Sequence, residues 1–332
     1  MFKKKYYNAL IIGSNFGYNS HFKALKKINI FNIDISSPNI KNKNIKDKKI
    51  RKFSNYKDAL KKNQYHIITF AVPPKIQEKI IKYIINKKIS VKYLFFEKLY
   101  STDIKFLNRS FNYFIKKNIL INLNFIFPKI THWKTLVKLL KNENVKFVKY
   151  RWFFKQAFFT NLQKTWKIDP KKGGGLYYYY LIHLIYNLIT LFKKIEILDL
   201  VKSSNNKYKL IDYLFVKLLC GKKIPCEIEI SNNSINNIHQ LKIETKKNTI
   251  ELISKSKNWT NKFMIRKNMR TKTKFDNKSS NERYMLTLRN IKELLNYKST
   301  SEKQYLHKLS TIITSHKITK KISMKNNQKI KH

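Results

Sequence analysis

The stretch Ala9–Leu25, ALIIGSNFGYNSHFKAL, combines residue types and spacing that could do chemistry. An apolar run breaks at Gly13 and Gly17, and a helical segment follows. The chain holds only six glycines, so two within five positions mark a backbone requirement. Two uses fit. A strand–turn–helix of this kind leaves amides without partners at a helix N-terminus, where the helix dipole favours a phosphate. The same turn also serves merely to redirect the chain. Asp34 follows Gly13 by 21 residues, near the ~20 expected for a carboxylate that binds the ribose hydroxyls of a dinucleotide. On this reading Asp34 ends the second strand and, by repelling a 2′-phosphate, favours NAD over NADP; its other reading is a loop cap. Asn15 stands where the dinucleotide fingerprint has its second glycine, and its side chain crowds a pyrophosphate there although Asn tolerates positive φ. With Phe16 completing the turn, the candidate phosphate loop is Gly13, Asn15, Phe16 and Gly17.

Cys220 and Cys226 are the only cysteines, and they flank GKKIP, a turn between two expected strands. That pair supports neither a metal site nor a disulfide scaffold, and two free thiols fit a reducing cytoplasm. The charge is extreme: 71 Lys+Arg against 19 Asp+Glu, a formal net charge of +52. One reading is an anionic partner. The other is a codon bias toward Lys, Asn, Ile, Tyr and Phe, with lysines spread along the whole length and few arginines for bidentate base contacts. The second is favoured, so no specific nucleic-acid partner is expected. The basic N-terminus lacks the apolar run of a signal peptide. The apolar segment 176–192 falls short of a bilayer and contains His183 and Asn187. A soluble cytoplasmic protein with no membrane association is the expectation.

These residues must be positioned by regular elements. Strands are expected at Asn8–Ile12, Ile30–Ser36 and in HIITFAVPP, KYLFFEK and ILINLNF. Helices fall between them: from Ser20 to Lys27, in YKDALKK, over 76–86 and in DIKFLNRSFNYFIKK. Alternation of strand and helix implies a parallel sheet with helices on both faces. After about Phe125 the pattern turns to period two, in NVKFVKYRWFF, YLFVKLL, PCEIEIS, HQLKIET and TIELIS, as for an antiparallel sheet with one wet face. The helical LYYYYLIHLIYNLITLFKK follows KKGGG within this half. Residues 255–280 read as polar loop, two helices follow, and KNNQKIKH is expected to fray.

Several motifs in one order resemble the glucose–fructose oxidoreductase/inositol dehydrogenase (Gfo/Idh/MocA) family. Ala71, Val72, Pro73 and Pro74 match its ATPP stretch, and Glu97 and Lys98 match its EKP. His21 follows the glycine turn, and WKIDPKKGGG with His183 is similar to the family's W…D…GGG…H. The resemblance implies an α/β chain with an N-terminal Rossmann dinucleotide-binding domain over 1–124. A C-terminal α+β domain with a largely antiparallel open sheet would cover 125–332, for substrate binding and oligomerisation. It implies hydride transfer between NAD, with NADP possible, and a sugar or nucleotide-sugar hydroxyl carbon. Carried over by position, Ala71, Pro73, Pro74 and Glu97 would contact the cofactor with Lys98, and Lys98 would orient or polarise the reacting hydroxyl. His183 would be the acid/base, since a hydride leaving a carbinol carbon needs its hydroxyl proton removed. Three positions depart: Tyr179 and Tyr186 replace aspartates four residues before and three after the histidine, and Leu99 replaces the proline of EKP. Tyr179 is therefore the third catalytic candidate. A cofactor-binding or sensing member without turnover is the alternative. For His183 a satisfied core histidine is the other reading, and for Trp166 a buried anchor stands beside a sugar-pocket wall.

Overall fold

The computed structural model describes residues 7–28, 30, 32–40, 50–157, 165–204, 210–221, 223–255, 262–272, 282–297 and 302–325. They divide into two compact units, Met1–Ile126 with Arg283–Leu309, and Phe127–Glu282 with Ser310–His332.

The first unit begins with β1 (Asn8–Ile12) and a π-helical turn (Gly17–Phe22) that runs into α1 (Lys23–Lys26). Then come β2 (Asn32–Ser36), β3 (Lys52–Phe53), α2 (Tyr56–Lys62), β4 (Ile67–Phe70), α3 (Pro74–Asn86), β5 (Tyr93–Phe96), α4 (Ile104–Lys116) and β6 (Leu120–Leu123). The six strands are parallel in the order β3-β2-β1-β4-β5-β6. Strands covered on both faces must be apolar throughout, which is why ALII, IITF and YLFF read as continuous runs and are buried. The order reverses between β1 and β4, the position at which such sheets bind ligands beyond their carboxyl ends. Helix starts are set locally. Pro74 occupies the first turn of α3, where its missing N–H costs nothing. Asp103 caps α4 by accepting from the amides of Lys105 (2.9 Å) and Phe106 (3.1 Å), a contribution of about 1 kcal/mol.

The second unit contains α5 (Thr131–Leu140), β7 (Val145–Lys155), and a π-helical turn (Leu176–Leu181) continuing as α6 (Ile182–Phe192). It goes on with β8 (Ile195–Ser203), β9 (Tyr213–Cys220), β10 (Ile224–Ser231), β11 (Asn233–Thr245), β12 (Thr249–Ser254), β13 (Met264–Lys267) and β14 (Arg270–Thr271). The sheet order is β14-β13-β12-β11-β7-β10-β9-β8, antiparallel except for the β10–β7 pair. The period-two reading holds: Val148, Tyr150 and Trp152 of β7 and Leu214, Val216 and Leu218 of β9 are buried, while their alternates are half-buried or exposed. Cys220 and Cys226 are free and buried, and a hydrogen bond between them together with burial raises the Cys226 thiol well above its ordinary range.

Three differences from the sequence reading have physical causes. The first helix begins at Gly17 rather than Ser20, as a π-helical turn. The stretch expected as loop over 255–280 holds β13 and β14, which extend the sheet edge and bury Ile265. Residues 256–261 and 273–280 of that stretch, the polar loop at 41–49 and the tail at 326–332 lie outside the described residues. Finally, α7 (Arg283–Leu295) groups with the first unit, although the sequence division at 124/125 puts it in the second. Its Leu288, Ile291 and Leu294 join Ala9, Ile11, Ile33, Ile35 and Phe95 in one apolar cluster. Fully burying such a side chain contributes roughly 1.5–3 kcal/mol. The last helix, α8, spans Glu302–Met324.

Candidate cofactor and active site

At the carboxyl edge of the first sheet the glycine turn is held from two sides. The Gly13 amide donates to the Ser36 carbonyl (2.8 Å), and the Ala71 amide donates to the Ile12 carbonyl (2.8 Å). Gly13 has φ +113°, and a Cβ there would land on the Ala71 carbonyl oxygen. A Cβ at Gly17 would press within 2.8 Å of the Ile11 side chain. Both glycines are therefore required by packing, whatever they bind. Phosphate-binding capacity comes from the helix start instead. The first backbone bond of the turn runs from the Asn19 amide to the Asn15 carbonyl (3.1 Å), so the amides ahead of Asn19 have no helix carbonyl to meet. No side chain caps this end, and Asn15 is exposed, leaving the backbone open on that side. Unbonded amides on an open helix N-terminus at the sheet's switch point fit a dinucleotide pyrophosphate.

Asp34 does not occupy the ribose position. It is the middle residue of β2, opposite Leu10, and the strand continues to Ser36, level with Ile12. The carboxylate is 2% exposed and fully engaged. Arg51 donates to it twice (Nε to Oδ1 3.1 Å, Nη2 to Oδ2 2.9 Å), and the Tyr65 hydroxyl donates to Oδ2 (2.7 Å). The hydrogen bonds that Arg51 donates to Asp34 raise the Arg51 pKa, while burial foremost and the same carboxylate raise that of Tyr65. The spacing of 21 residues counts positions only, and the strand runs two residues past Asp34 to Ser36. At the true strand end stand Ser36 and Ser37, and the Ser14 hydroxyl donates to the Ser37 hydroxyl (3.0 Å).

Ala71 and Val72 follow β4 directly, and Pro73 and Pro74 start α3. Glu97 and Lys98 follow β5, both half-buried, and the Glu97 amide donates to the Phe70 carbonyl (3.1 Å). The Glu97 carboxylate accepts from Asn124 (2.8 Å) and meets His21 Nε2 at 2.9 Å. Asn124 also reaches Thr287 Oγ1 (3.1 Å) and accepts from Asn290 (3.1 Å), while Ser20 meets Thr287 at 2.8 Å. This buried polar network joins the glycine-led helix, the ends of β5 and β6, and α7. Sequence reading missed Asn124, Thr287 and Asn290. A signal existed in LINLNF, where Asn122 and Asn124 fall two apart in an otherwise apolar strand and so share one face.

The other candidates belong to the second unit. Gly174 is wedged against backbone: a Cβ there would fall on the Trp166 and Lys167 carbonyls. Gly175, at φ +72° and ψ −177°, lies in a region that only glycine visits readily. The helix they open carries Tyr179 and His183. His183 is 4% exposed, with its ring edge-on to Phe127 (5.2 Å) and 6.3 Å from Trp152. Tyr179 is half-buried against Trp166 (5.8 Å), itself half-buried, and Tyr180 (4.9 Å). The structure thus brings together Gly13, Asn15, Phe16, Gly17, Ala71, Pro73, Pro74, Glu97 and Lys98 in one unit and Tyr179 with His183 in the other.

A sequence profile for the C-terminal alpha/beta domain of the oxidoreductase family Gfo/Idh/MocA matches residues 138–324. The chain belongs to the Gfo/Idh/MocA oxidoreductase family. Solved structures agree with that fold. The WlbA dehydrogenase of Chromobacterium violaceum, solved with NADH and UDP-GlcNAcA, covers 100% of this chain and 98% of its own at 12% identity and a TM-score of 0.76. KijD10, a 3-ketoreductase of Actinomadura kijaniata solved with NADP and TDP-benzene, covers 94% and 96% at 10% identity and 0.77. A super-repressor mutant of Gal80p from Saccharomyces cerevisiae covers 96% and 95% at 10% identity and 0.79. No curated protein matches the chain by sequence. Among the described residues no helix is long and apolar enough to cross a membrane, and no group of His, Cys, Asp or Glu could hold a metal ion.

Proposed function

We propose that this Gfo/Idh/MocA member is an NAD(P)-dependent oxidoreductase that moves a hydride to or from a hydroxyl-bearing carbon of a sugar or nucleotide sugar. The observation that carries this reading is the open, uncapped helix start beside Ala71–Pro74 and Glu97–Lys98 on one sheet edge. A nicotinamide dinucleotide bound there would supply the hydride acceptor or donor. The amides before Asn19 would hold its pyrophosphate. Lys98 would donate a hydrogen bond to the substrate oxygen and stabilise negative charge on it, and His183 would exchange the hydroxyl proton. Glu97, clamped by His21 and Asn124, fixes the strand end from which Lys98 projects.

The same proposal puts two copies together through the half-buried face of the eight-stranded sheet, in a cytoplasmic protein. In a chain of net charge +52, this face holds Glu227 and Glu229 against Lys149 (3.5 and 2.9 Å), with Phe153 and Phe215 alongside. A balanced, partly aromatic face is where two such cations can meet. A second reading, a cofactor-binding sensor without turnover, is favoured by Tyr179 at the family's aspartate position and by the similarity to Gal80p. Titration of NADH and NADPH with turnover assays over nucleotide sugars separates the two. Lys98→Met and His183→Gln should each lower turnover by roughly 10²–10⁴-fold with cofactor affinity retained. A cofactor-binding protein inert across these substrates would favour the sensor.

A further inference from the structure

Resting on the cofactor reading above, we infer that this chain selects NADP(H) over NAD(H), with Ser37 as the deciding residue. In sheets of this kind the residue ending the second strand meets the adenosine ribose: a carboxylate there binds the free hydroxyls and repels a 2′-phosphate, whereas a nearby arginine accommodates it. The register places that end at Ser36 and Ser37, because Ile12 pairs with Ser36 and the Gly13 amide bonds the Ser36 carbonyl. No carboxylate stands there among the described residues. The nearest, Asp34, lies two residues earlier, about 6.6 Å along the strand, buried and neutralised by Arg51.

What the strand end does offer suits a phosphate. Ser37 is half-buried and accepts from the Ser14 hydroxyl, so its own O–H remains to donate outward. The Arg51 side chain is 56% exposed and gives two of its five N–H groups to Asp34. Its position just ahead of the edge strand is fixed by its carbonyl, which accepts from the Ile35 amide (3.1 Å). A hydroxyl thus stands at the ribose position where NAD selection uses a carboxylate, with the half-exposed Arg51 guanidinium on the neighbouring segment level with Asp34, two residues back from Ser36.

The test is competitive binding to the full chain at physiological ionic strength. NADPH should bind at least tenfold more tightly than NADH. Because a chain this basic attracts any extra phosphate, 2′,5′-ADP and 3′,5′-ADP, equal in charge, provide the positional control: 2′,5′-ADP should displace NADPH at roughly tenfold lower concentration. Ser37→Asp should reverse the preference toward NADH while leaving the fold intact by circular dichroism, and Ser37→Ala should reduce it. Equal displacement by the two ADP isomers, or NADH binding as tightly as NADPH, would overturn the inference and leave the cofactor reading standing. Binding of neither dinucleotide would remove both.

Discussion

Two helices of this protein start alike: the one after Gly13 and the one after Gly174 and Gly175 both open with a π-helical turn, and neither has a side-chain cap. Their surroundings differ. The first lies over a polar network, where the buried His21 meets Glu97 at 2.9 Å and Ser20 meets Thr287. The second is apolar almost all round, with eight buried residues in α6, and it sits in an aromatic cluster. There the buried His239 stacks on Trp152 at 4.5 Å and neither ring nitrogen has a hydrogen-bond partner. A π-helical turn widens the helix by one residue and is frequent at functional sites. Here the same device leaves backbone amides open in one unit and orients side chains in the other.

Breaking the glycine wedges should have the largest effect. Gly174→Val drives a side chain into two backbone carbonyls that cannot swing away, and the loss should exceed about 4 kcal/mol, enough to unfold the second unit. Gly13→Val should do the same to the first unit, because it combines positive φ with the Ala71 carbonyl. Gly17→Ala meets side chains and not backbone, the Cγ2 methyl of the buried Ile11 and the Ala71 Cβ, and should cost about 1–3 kcal/mol. Urea unfolding of each variant ranks the three. A Gly13→Val protein of unchanged stability would show that the turn is not packed as described.

The buried His239 sharpens the comparison through pH. Burial lowers the His239 pKa to about 3 from an ordinary 6.5. Above pH ~6.5 the residue is neutral in both folded and unfolded chains and carries no penalty. As pH falls from ~6.5 to ~3 only the unfolded chain takes up the proton, so stability drops by about 1.4 kcal/mol per unit. His239→Phe should flatten that slope in the pH dependence of urea unfolding. An unchanged slope would mean that His239 finds a partner when protonated. Asn124→Leu removes a donor to Glu97 and Thr287 and an acceptor for Asn290, and should cost about 1–3 kcal/mol, the same range as Gly17→Ala.

How far the sequence carried these regions depends on whether the signal was local. Apolar runs and period-two alternation are local, and they yielded both sheets. The two glycine turns were visible because glycine is so rare in this chain. Asp34 misled because a spacing counts residues and cannot see register: the strand runs two residues past Asp34 to Ser36, which leaves the carboxylate within the sheet, paired with Arg51, and not at the rim. The helix Arg283–Leu295 misled because its apolar stripe is compatible with either sheet, and only the three-dimensional contacts of Leu288 and Ile291 assign it. The polar network escaped for the same reason, since Asn124 and Thr287 are 163 residues apart.

The smallest effect is expected at Tyr179, and it bears most directly on chemistry. Tyr179 and His183 stand four apart, and such a pair shares a helix face. By the family resemblance this position commonly holds an aspartate, whose carboxylate carries a negative charge near neutral pH as a phenol does not. If the second unit keeps its catalytic role, Tyr179→Asp should preserve or raise turnover by a few-fold. Tyr179→Phe, which keeps the packing on Trp166 and Tyr180, should lower it only if the hydroxyl takes part. Because the ring is half-buried, Tyr179→Asp costs some stability. Turnover must therefore be read per folded molecule, with the folded fraction from circular dichroism. A gain in Tyr179→Asp with no change in Tyr179→Phe would show that charge, not the phenol, is what the site lacks. No change in either variant, with His183→Gln also silent, would place the chemistry elsewhere and leave the second helix as a packing element.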